Sequence, residues 1–182
     1  MSASPRILQA AIEVVAARGL EGTSVRSVAM SAGVSIGAVQ HHFKTKEELL
    51  AAAMQAVGDD FERHLSERLA AAASPISALR EVLYALACTD DDASPAAVWI
   101  AFAARAAVDP QIRQVHSSQW AQVEALVRQL VLAVQPGDRD VDLVAGGLLA
   151  MVDGIAVARV AENGRMSAER ARALVEAACA RL

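Results

Sequence analysis

The sequence predicts an all-α protein, with an N-terminal helix-turn-helix head of three helices and a larger helical body, about nine or ten helices in all. Apolar residues make up 54% of the chain but aromatic residues only 3%. Much of the apolar fraction is alanine, which with leucine leads the helix-propensity scale. Apolar positions recur at helical spacing, and strand-like alternation is nearly absent. We place the head at residues 1–48 and the body at residues 49–182.

Two helices are predicted before residue 34. The first spans Pro5 to Gly19 and carries one apolar stripe, and the glycine is a natural C-terminal stop. The second is short, with Ser24 as its N-cap and Gly33 closing the turn that follows. Together they supply the support and the first half of a helix-turn-helix.

Two more helices follow at once. Ser35 is the expected N-cap of a small third helix. Thr45 is the expected N-cap of the fourth, and Glu48, three residues on, completes a capping box. Apolar residues then recur at helical spacing as far as Ser74 and Pro75, which predicts a long fourth helix.

The rest of the chain reads as further amphipathic or buried helices separated by polar loops. No internal repeat or low-complexity linker interrupts them. The predicted segments are residues 75–87, 95–108, 109–134, 141–164 and 167–182.

Several classes of protein are disfavoured by the sequence. Pro5 and Arg6 follow the start without an apolar run, so no secretory signal is expected. The longest uninterrupted apolar run, residues 143–152, falls well short of the ~20 residues that a membrane-spanning helix needs. Cys88 and Cys179 have no zinc or redox spacing, and we expect both to be buried. These features favour a soluble cytoplasmic protein with no metal, cofactor or membrane partner.

Charge is distributed unevenly along the chain. The net charge of −4 argues against general coating of nucleic acid. Residues 1–50 nevertheless have a balance of +1, whereas the remaining 132 residues have a balance of −5. Both lysines, Lys44 and Lys46, lie in the first segment.

The second and third helices have the features of a DNA-reading helix-turn-helix, whose second helix enters the major groove. Small residues, Gly37 and Ala38, would let that helix approach base edges closely. Gln40 and His41 would then supply polar groups to read them. The following helix starts beside the DNA, so its free N–H groups and Lys46 could hold a phosphate.

The stretch "ILQAAIEVVAARGLEGTSVRSVAMSAGVSIGAVQHHFKTKEELL" resembles the DNA-binding head of the tetracycline-repressor (TetR) family. The likeness includes the first helix ending in "RG", then "TSVRSVA", "AGVS.GA" and "F.TKEELL". One position departs from the pattern, because the family usually has tyrosine where this chain has Gln40. Glutamine could read adenine with two hydrogen bonds or contact a phosphate, so the operator sequence stays open.

The resemblance implies roles for individual residues of the head. Residues at the family's phosphate-holding positions are Ser24, Ser35, His42, Thr45 and Lys46. Residues at its groove-facing positions are Ile36, Gly37, Ala38, Gln40 and His41. Arg26 lies where some family members reach a base, and an ion pair at the surface is its alternative role.

The body is similar to the C-terminal domain of the choline-responsive branch of the family, in "WIAFAARAAVDPQI" and "GLLAMVDGIAVARV". This implies binding of a small-molecule effector. Polar-tipped aromatic residues, a histidine and an acid in an apolar helix are the candidates to line its site, with core packing or an ion pair as the alternative. They are Tyr84, Trp99, His116, Trp120 and Asp153.

Small residues repeat at 4-3-4-3 spacing in the penultimate helix, and the last helix offers a matching stripe. In the family these two helices usually pair with their copies in a four-helix bundle, which favours a homodimer. Close packing inside one chain is the alternative. The candidate interface residues are Gly147, Met151, Gly154, Ala158, Leu174 and Ala178.

The sequence therefore predicts a homodimeric transcriptional regulator of double-stranded DNA, most consistent with a repressor released from a pseudo-palindromic operator by an effector. It does not favour an enzyme, since no phosphate loop or Cys–His arrangement occurs. An activator, an effector-independent DNA-binding protein, or a helical carrier or enzyme with a vestigial head remain alternatives.

Overall fold

The computed structural model describes residues 3–90, 94–137, 140–162 and 164–182. These ranges contain nine α-helices and no strand, which confirms the predicted all-α class. The helices are α1 (Ala3–Arg18), α2 (Val25–Ala32), α3 (Ile36–His42), α4 (Lys46–Ala70), α5 (Pro75–Leu86), α6 (Ser94–Ala106), α7 (Pro110–Val134), α8 (Val141–Ala161) and α9 (Ala168–Cys179).

The turn between α2 and α3 is built from the capping residues that the sequence predicts. The Ser24 hydroxyl accepts a hydrogen bond from the backbone N–H of Ser27 at 3.0 Å and starts α2. Gly33 ends α2 in the left-handed conformation, with φ of 64°. The Ser35 hydroxyl accepts from the N–H of Ala38 at 3.1 Å and starts α3. The chain therefore turns sharply between two short helices, as a helix-turn-helix requires.

The chain divides into two compact units. The N-terminal unit comprises Met1–Asp60 and Ala97–Gln119, so that α6 and the start of α7 belong with the first three helices. The predicted domain boundary after residue 48 lies elsewhere and remains a prediction about domains. The core of this unit contains Ile7, Leu49 and Phe102, each no more than 1% exposed.

The C-terminal unit comprises Phe61–Ala96 and Trp120–Leu182. Its core is formed largely by α5, α8 and α9, with Leu83, Val152 and Val175 fully buried. Among the described helices, α8 alone is long and apolar enough to cross a membrane by length and composition. The apolar run in the sequence stopped at Asp153, but the helix does not. The buried side of α8 lies in this core, and the core helix of a soluble protein has the same composition.

Three arginine side chains gather at the C-terminal end of α5. Arg68 pairs with the Asp90 carboxylate at 2.7 Å, and Arg159 donates to the Asp90 carbonyl at 2.7 Å. Arg172 donates to the Thr89 carbonyl at 3.4 Å. Cations suit a helix C-terminus because its last carbonyls carry partial negative charge. Cys88 occupies the turn there with φ of 48° and is half-buried, so the expectation that both cysteines are buried holds only for Cys179.

Replacing Gly33 by alanine should lower the free energy of unfolding by about 1 kcal/mol, because a residue with a Cβ is strained in the left-handed conformation. Its Cβ would also lie 3.4 Å from the Arg6 guanidinium. Urea unfolding followed by circular dichroism measures the change. Gly137→Ala is the matched control, since a Cβ there meets nothing within 4 Å. Equal effects of the two substitutions would contradict the assigned role of Gly33.

Candidate DNA-binding face and effector-binding body

The third helix has one buried side and one exposed side. Val39 is completely buried in the N-terminal core. Gly37, Gln40 and His41 are exposed, and Ile36 is 44% exposed. The structure thus leaves a surface of small and polar groups on the helix that the sequence predicts to read DNA. Ala38 is half-buried, which limits how much of its methyl group a DNA base could meet.

The hydroxyl groups predicted to hold phosphates also cap helices. Thr45 Oγ1 accepts a hydrogen bond from the N–H of Glu48 at 3.0 Å, as Ser24 and Ser35 do for α2 and α3. A hydroxyl that accepts from the backbone keeps its own O–H. In Ser35 and Thr45 that hydrogen remains available to donate to a phosphate oxygen, whereas Ser24 donates to Ser27 Oγ at 3.1 Å.

The two lysines have different environments. Lys46 is half-buried, and its ammonium group donates to the carbonyl oxygen of Leu20 at 3.0 Å. Lys44 is exposed, and its side chain has no hydrogen bond or ion pair within the described ranges. Glu48 accepts from the backbone N–H of Lys44 at 2.7 Å, one residue earlier than a capping box would place the bond. The predicted phosphate ligand Lys46 therefore already has a structural partner, and sequence spacing gave no signal for it.

The arginines of the head differ in the same way. The Arg6 guanidinium donates to the carbonyl oxygen of Ala32, at the end of α2. Arg26 is exposed on α2, and its side chain makes no hydrogen bond or ion pair with the described residues. The surface ion pair considered for Arg26 is therefore absent from this part of the chain. His42 is exposed at the end of α3, with its ring 5.4 Å from that of His41.

Two of the predicted effector residues meet in the N-terminal unit. The rings of Trp99 on α6 and His116 on α7 lie 5.7 Å apart at 34°. Burial lowers the pKa of His116, so its imidazole is neutral at pH 7. An indole face beside a neutral imidazole is a surface suited to an apolar or cationic group.

Tyr84 in the C-terminal unit is engaged by α9. Its hydroxyl donates to the Glu176 carboxylate, and Arg172 lies 5.6 Å above its ring. Arg80 pairs with the same carboxylate at 3.1 Å. Burial, together with the hydrogen bond to Glu176, raises the pKa of Tyr84 to about 12. This residue thus joins α5 to α9, and its polar end is already satisfied.

The other two predicted effector residues also lie in the C-terminal unit. Trp120 packs against its apolar core. Asp153 is half-buried on α8, and burial raises the pKa of its carboxyl group to about 6. Its side chain has no hydrogen bond or ion pair within the described ranges. A carboxylate in that setting favours a cationic partner.

A groove of about 230 Å³ runs between α4 and α7 in the C-terminal unit. None of the five predicted effector residues lines it. On the sequence its apolar members belong to the helical stripe of α4 and α7, which by itself indicates only core packing. The lining residues are Phe61, Glu62, Leu65, Ser66, Leu69, Gln122, Val123 and Leu126.

The predicted dimer stripe on α8 is partly wrong. Gly147 and Gly154 are exposed, but Ala158 is only 2% exposed in the core of its own chain. The exposed side continues instead through Val157 and Ala161. A 4-3-4-3 repeat drifts around a straight helix, so its far end turns inward. The remaining candidates Met151, Leu174 and Ala178 lie at the edge of the core, and Leu174 is 39% exposed.

Comparison with known proteins gives two family matches. Residues 7–53 match the model of the bacterial regulatory proteins of the tetR family. Residues 75–182 match the model of the C-terminal domain of BetI-type transcriptional repressors. Together the two matches include most of the chain and both units.

Individual relatives agree with these matches. The chain is 29% identical to the HTH-type transcriptional regulator PksA of Bacillus subtilis, covering 93% of this chain and 84% of that protein. It is 32% identical to the regulator BetI of Burkholderia cenocepacia, covering 82% and 78%.

Solved structures show the same fold. A transcriptional regulator from Rhodococcus has a TM-score of 0.87 at 32% identity, covering 100% of this chain and 95% of that one. A regulator from Saccharomonospora viridis, solved in complex with choline, has a TM-score of 0.89 at 19% identity, covering 96% and 94%. With an exposed reading helix in front and a BetI-type body behind it, the chain belongs to the TetR family of DNA-binding transcriptional regulators.

Proposed function

We propose that this protein is a cytoplasmic, homodimeric repressor, released from a pseudo-palindromic operator when a small molecule binds its helical body. The observation that carries the proposal is the third helix, which is anchored by buried Val39 and capped by Ser35, with an exposed polar side. Only a helix held in this way can present base-reading groups in a fixed orientation.

The operator should be two-fold symmetric, with half-sites about one helical turn (~34–36 Å) apart in the simplest arrangement. Selection from random duplex DNA at physiological salt tests this directly with the purified protein. Recovery of a symmetric site supports the proposal. Failure to enrich any sequence with folded, dimeric protein would contradict it.

Lys44→Ala should weaken operator binding and lower the slope of log K against log salt by about one per head, or about two per dimer. The reason is that Lys44 is the lysine whose ammonium group is not engaged within the described chain. Fluorescence anisotropy between 50 and 300 mM salt measures the slope.

Lys46→Met is the matched comparison, since the Lys46 ammonium group holds the Leu20 carbonyl. It should lower the melting temperature of the protein more than Lys44→Ala does, with a smaller change in salt slope. The reverse pattern would return the phosphate contact to Lys46 and leave Lys44 as a solvated charge.

A homodimer is supported by the apolar exposed side of α8, where Gly147, Gly154 and Val157 face outward. Small residues let two helices approach closely, and they repay the helix propensity that glycine lacks. We assign this side, with Leu174 of α9, to the interface with a second copy.

Gly154→Arg should convert the protein to a monomer, because a long charged side chain would be placed in a close apolar contact. Sedimentation velocity at micromolar concentration measures the change. Ala125→Arg, at an exposed position of α7, is the control and should remain dimeric. A dimeric Gly154→Arg variant would place the interface elsewhere.

We propose that the effector is a small organic cation. The support consists of the indole of Trp99 beside the neutral His116, the half-buried carboxylate of Asp153, and a relative of the same fold solved with choline. Calorimetry with choline tests the class, and 3,3-dimethylbutan-1-ol, which has the same shape without the charge, is the control. Tighter binding of the alcohol would overturn the cationic assignment.

Asp153→Asn should raise the stability of the protein at pH 7.5 and change it little near pH 4.5. The pKa of the folded-state carboxyl is raised to about 6, above its unfolded value, so below pH 6 the folded state gains stability by keeping it protonated. Above pH 6 folding must desolvate a charge, which asparagine lacks. Urea unfolding of both proteins from pH 4.5 to 7.5 gives the difference, and a difference independent of pH would contradict this account.

A further inference from the structure

A close contact joins the fourth and seventh helices inside the N-terminal unit. The side-chain amide of Gln119, on α7, donates to the backbone carbonyl oxygen of Met54, on α4, at 3.3 Å. A Cβ on Gly58 would lie 2.0 Å from the Gln119 amide nitrogen and 2.7 Å from its carbonyl carbon Cδ. The amide therefore occupies the space that any side chain at position 58 would need.

Position 58 also lies where the helix is locally weakest. The Met54 carbonyl is the acceptor that an uninterrupted α-helix gives to the N–H of residue 58, so the Gln119 amide shares that acceptor. Glycine and aspartate are poor helix formers, and Gly58 is followed by Asp59 and Asp60. Insertion of a side chain into the backbone ladder is a recognised cause of helix bending.

The burial of α4 changes at the same place. Leu50 and Met54 are buried in the N-terminal core, whereas Asp59 and Asp60 are exposed. The next fully buried residue of the helix is Leu65, a member of the other core. Between those residues the Gln119 contact is the polar bond from another helix to the α4 backbone that the structure shows.

We propose that Gln119 is a positioning residue for DNA binding, and that its amide, received in the gap left by Gly58, sets the direction in which α4 leaves the head. This inference rests on the function proposed above and names one element of its regulation. Gln119 touches no DNA in this account and acts through α4.

The consequence concerns both heads of a dimer at once. A palindrome is bound tightly because the second head reaches its half-site from a restricted range of positions, which raises its effective concentration there. Losing the contact lets α4 bend over a wider range, and the pairing of the heads becomes less pre-organised. Affinity for a full palindrome should fall, while affinity for a single half-site should not change.

Gln119→Ala, Gly58→Ala and the double variant test this with full-site and half-site duplexes from the selection. Each should lose about tenfold in full-site affinity and less than twofold in half-site affinity. Because both substitutions remove the same contact, the double variant should lose no more than either single variant. Gln114→Ala, at an exposed position of the same helix, should behave as the wild type.

Thermal unfolding separates this role from a general loss of stability. Gly58→Ala introduces the better helix former and displaces only the flexible end of Gln119, so its melting temperature should stay the same or rise by up to about 4 °C while full-site affinity falls. Affinity that follows melting temperature, additive losses, or an unchanged ratio of full-site to half-site affinity would each overturn the inference. A wild type without preference for the full site would overturn the proposed function and this inference with it.

Discussion

The reading of DNA by this chain depends on the burial of one side chain, Val39. A helix of seven residues is far too short to be stable alone, since isolated helices below about 12–15 residues are marginal in water. The third helix exists because Val39 is fully buried in the N-terminal core and because Ser35 satisfies an N–H at its start. The same burial fixes which side of the helix remains for DNA.

The supports around this helix use polar groups that a sequence reader would assign to DNA. Arg6 holds the carbonyl of Ala32 at the end of α2, and Lys46 holds the carbonyl of Leu20 after α1. Each bond ties a helix end to a neighbouring helix and satisfies a carbonyl that the helix or turn leaves without a partner. Part of the positive charge of the head is therefore spent on its own geometry, and the cations left exposed on the head include Arg26 and Lys44.

Sequence reasoning succeeded where the signal is local. Ser24, Gly33, Ser35 and Thr45 act within three residues of themselves, and all four do in the structure what their spacing predicts. It failed where the outcome depends on distant partners. Nothing near Lys46 in sequence reveals the Leu20 carbonyl, 26 residues away. Periodicity alone placed Ala158 on an exposed stripe, whereas the curvature of packing around α8 turns it into the core.

The contact between Gln119 and Gly58 belongs to the second class, because glycine in a helix indicates close approach without naming the group that approaches. Its importance follows from the charge of the head. With two of its five basic residues committed to backbone carbonyls, one head makes few phosphate contacts, and a single half-site is held weakly. Tight binding must then come from two heads acting together, and joint binding is sensitive to their spacing. A small change in the direction of α4 is therefore a sufficient way for a ligand in the body to release the DNA.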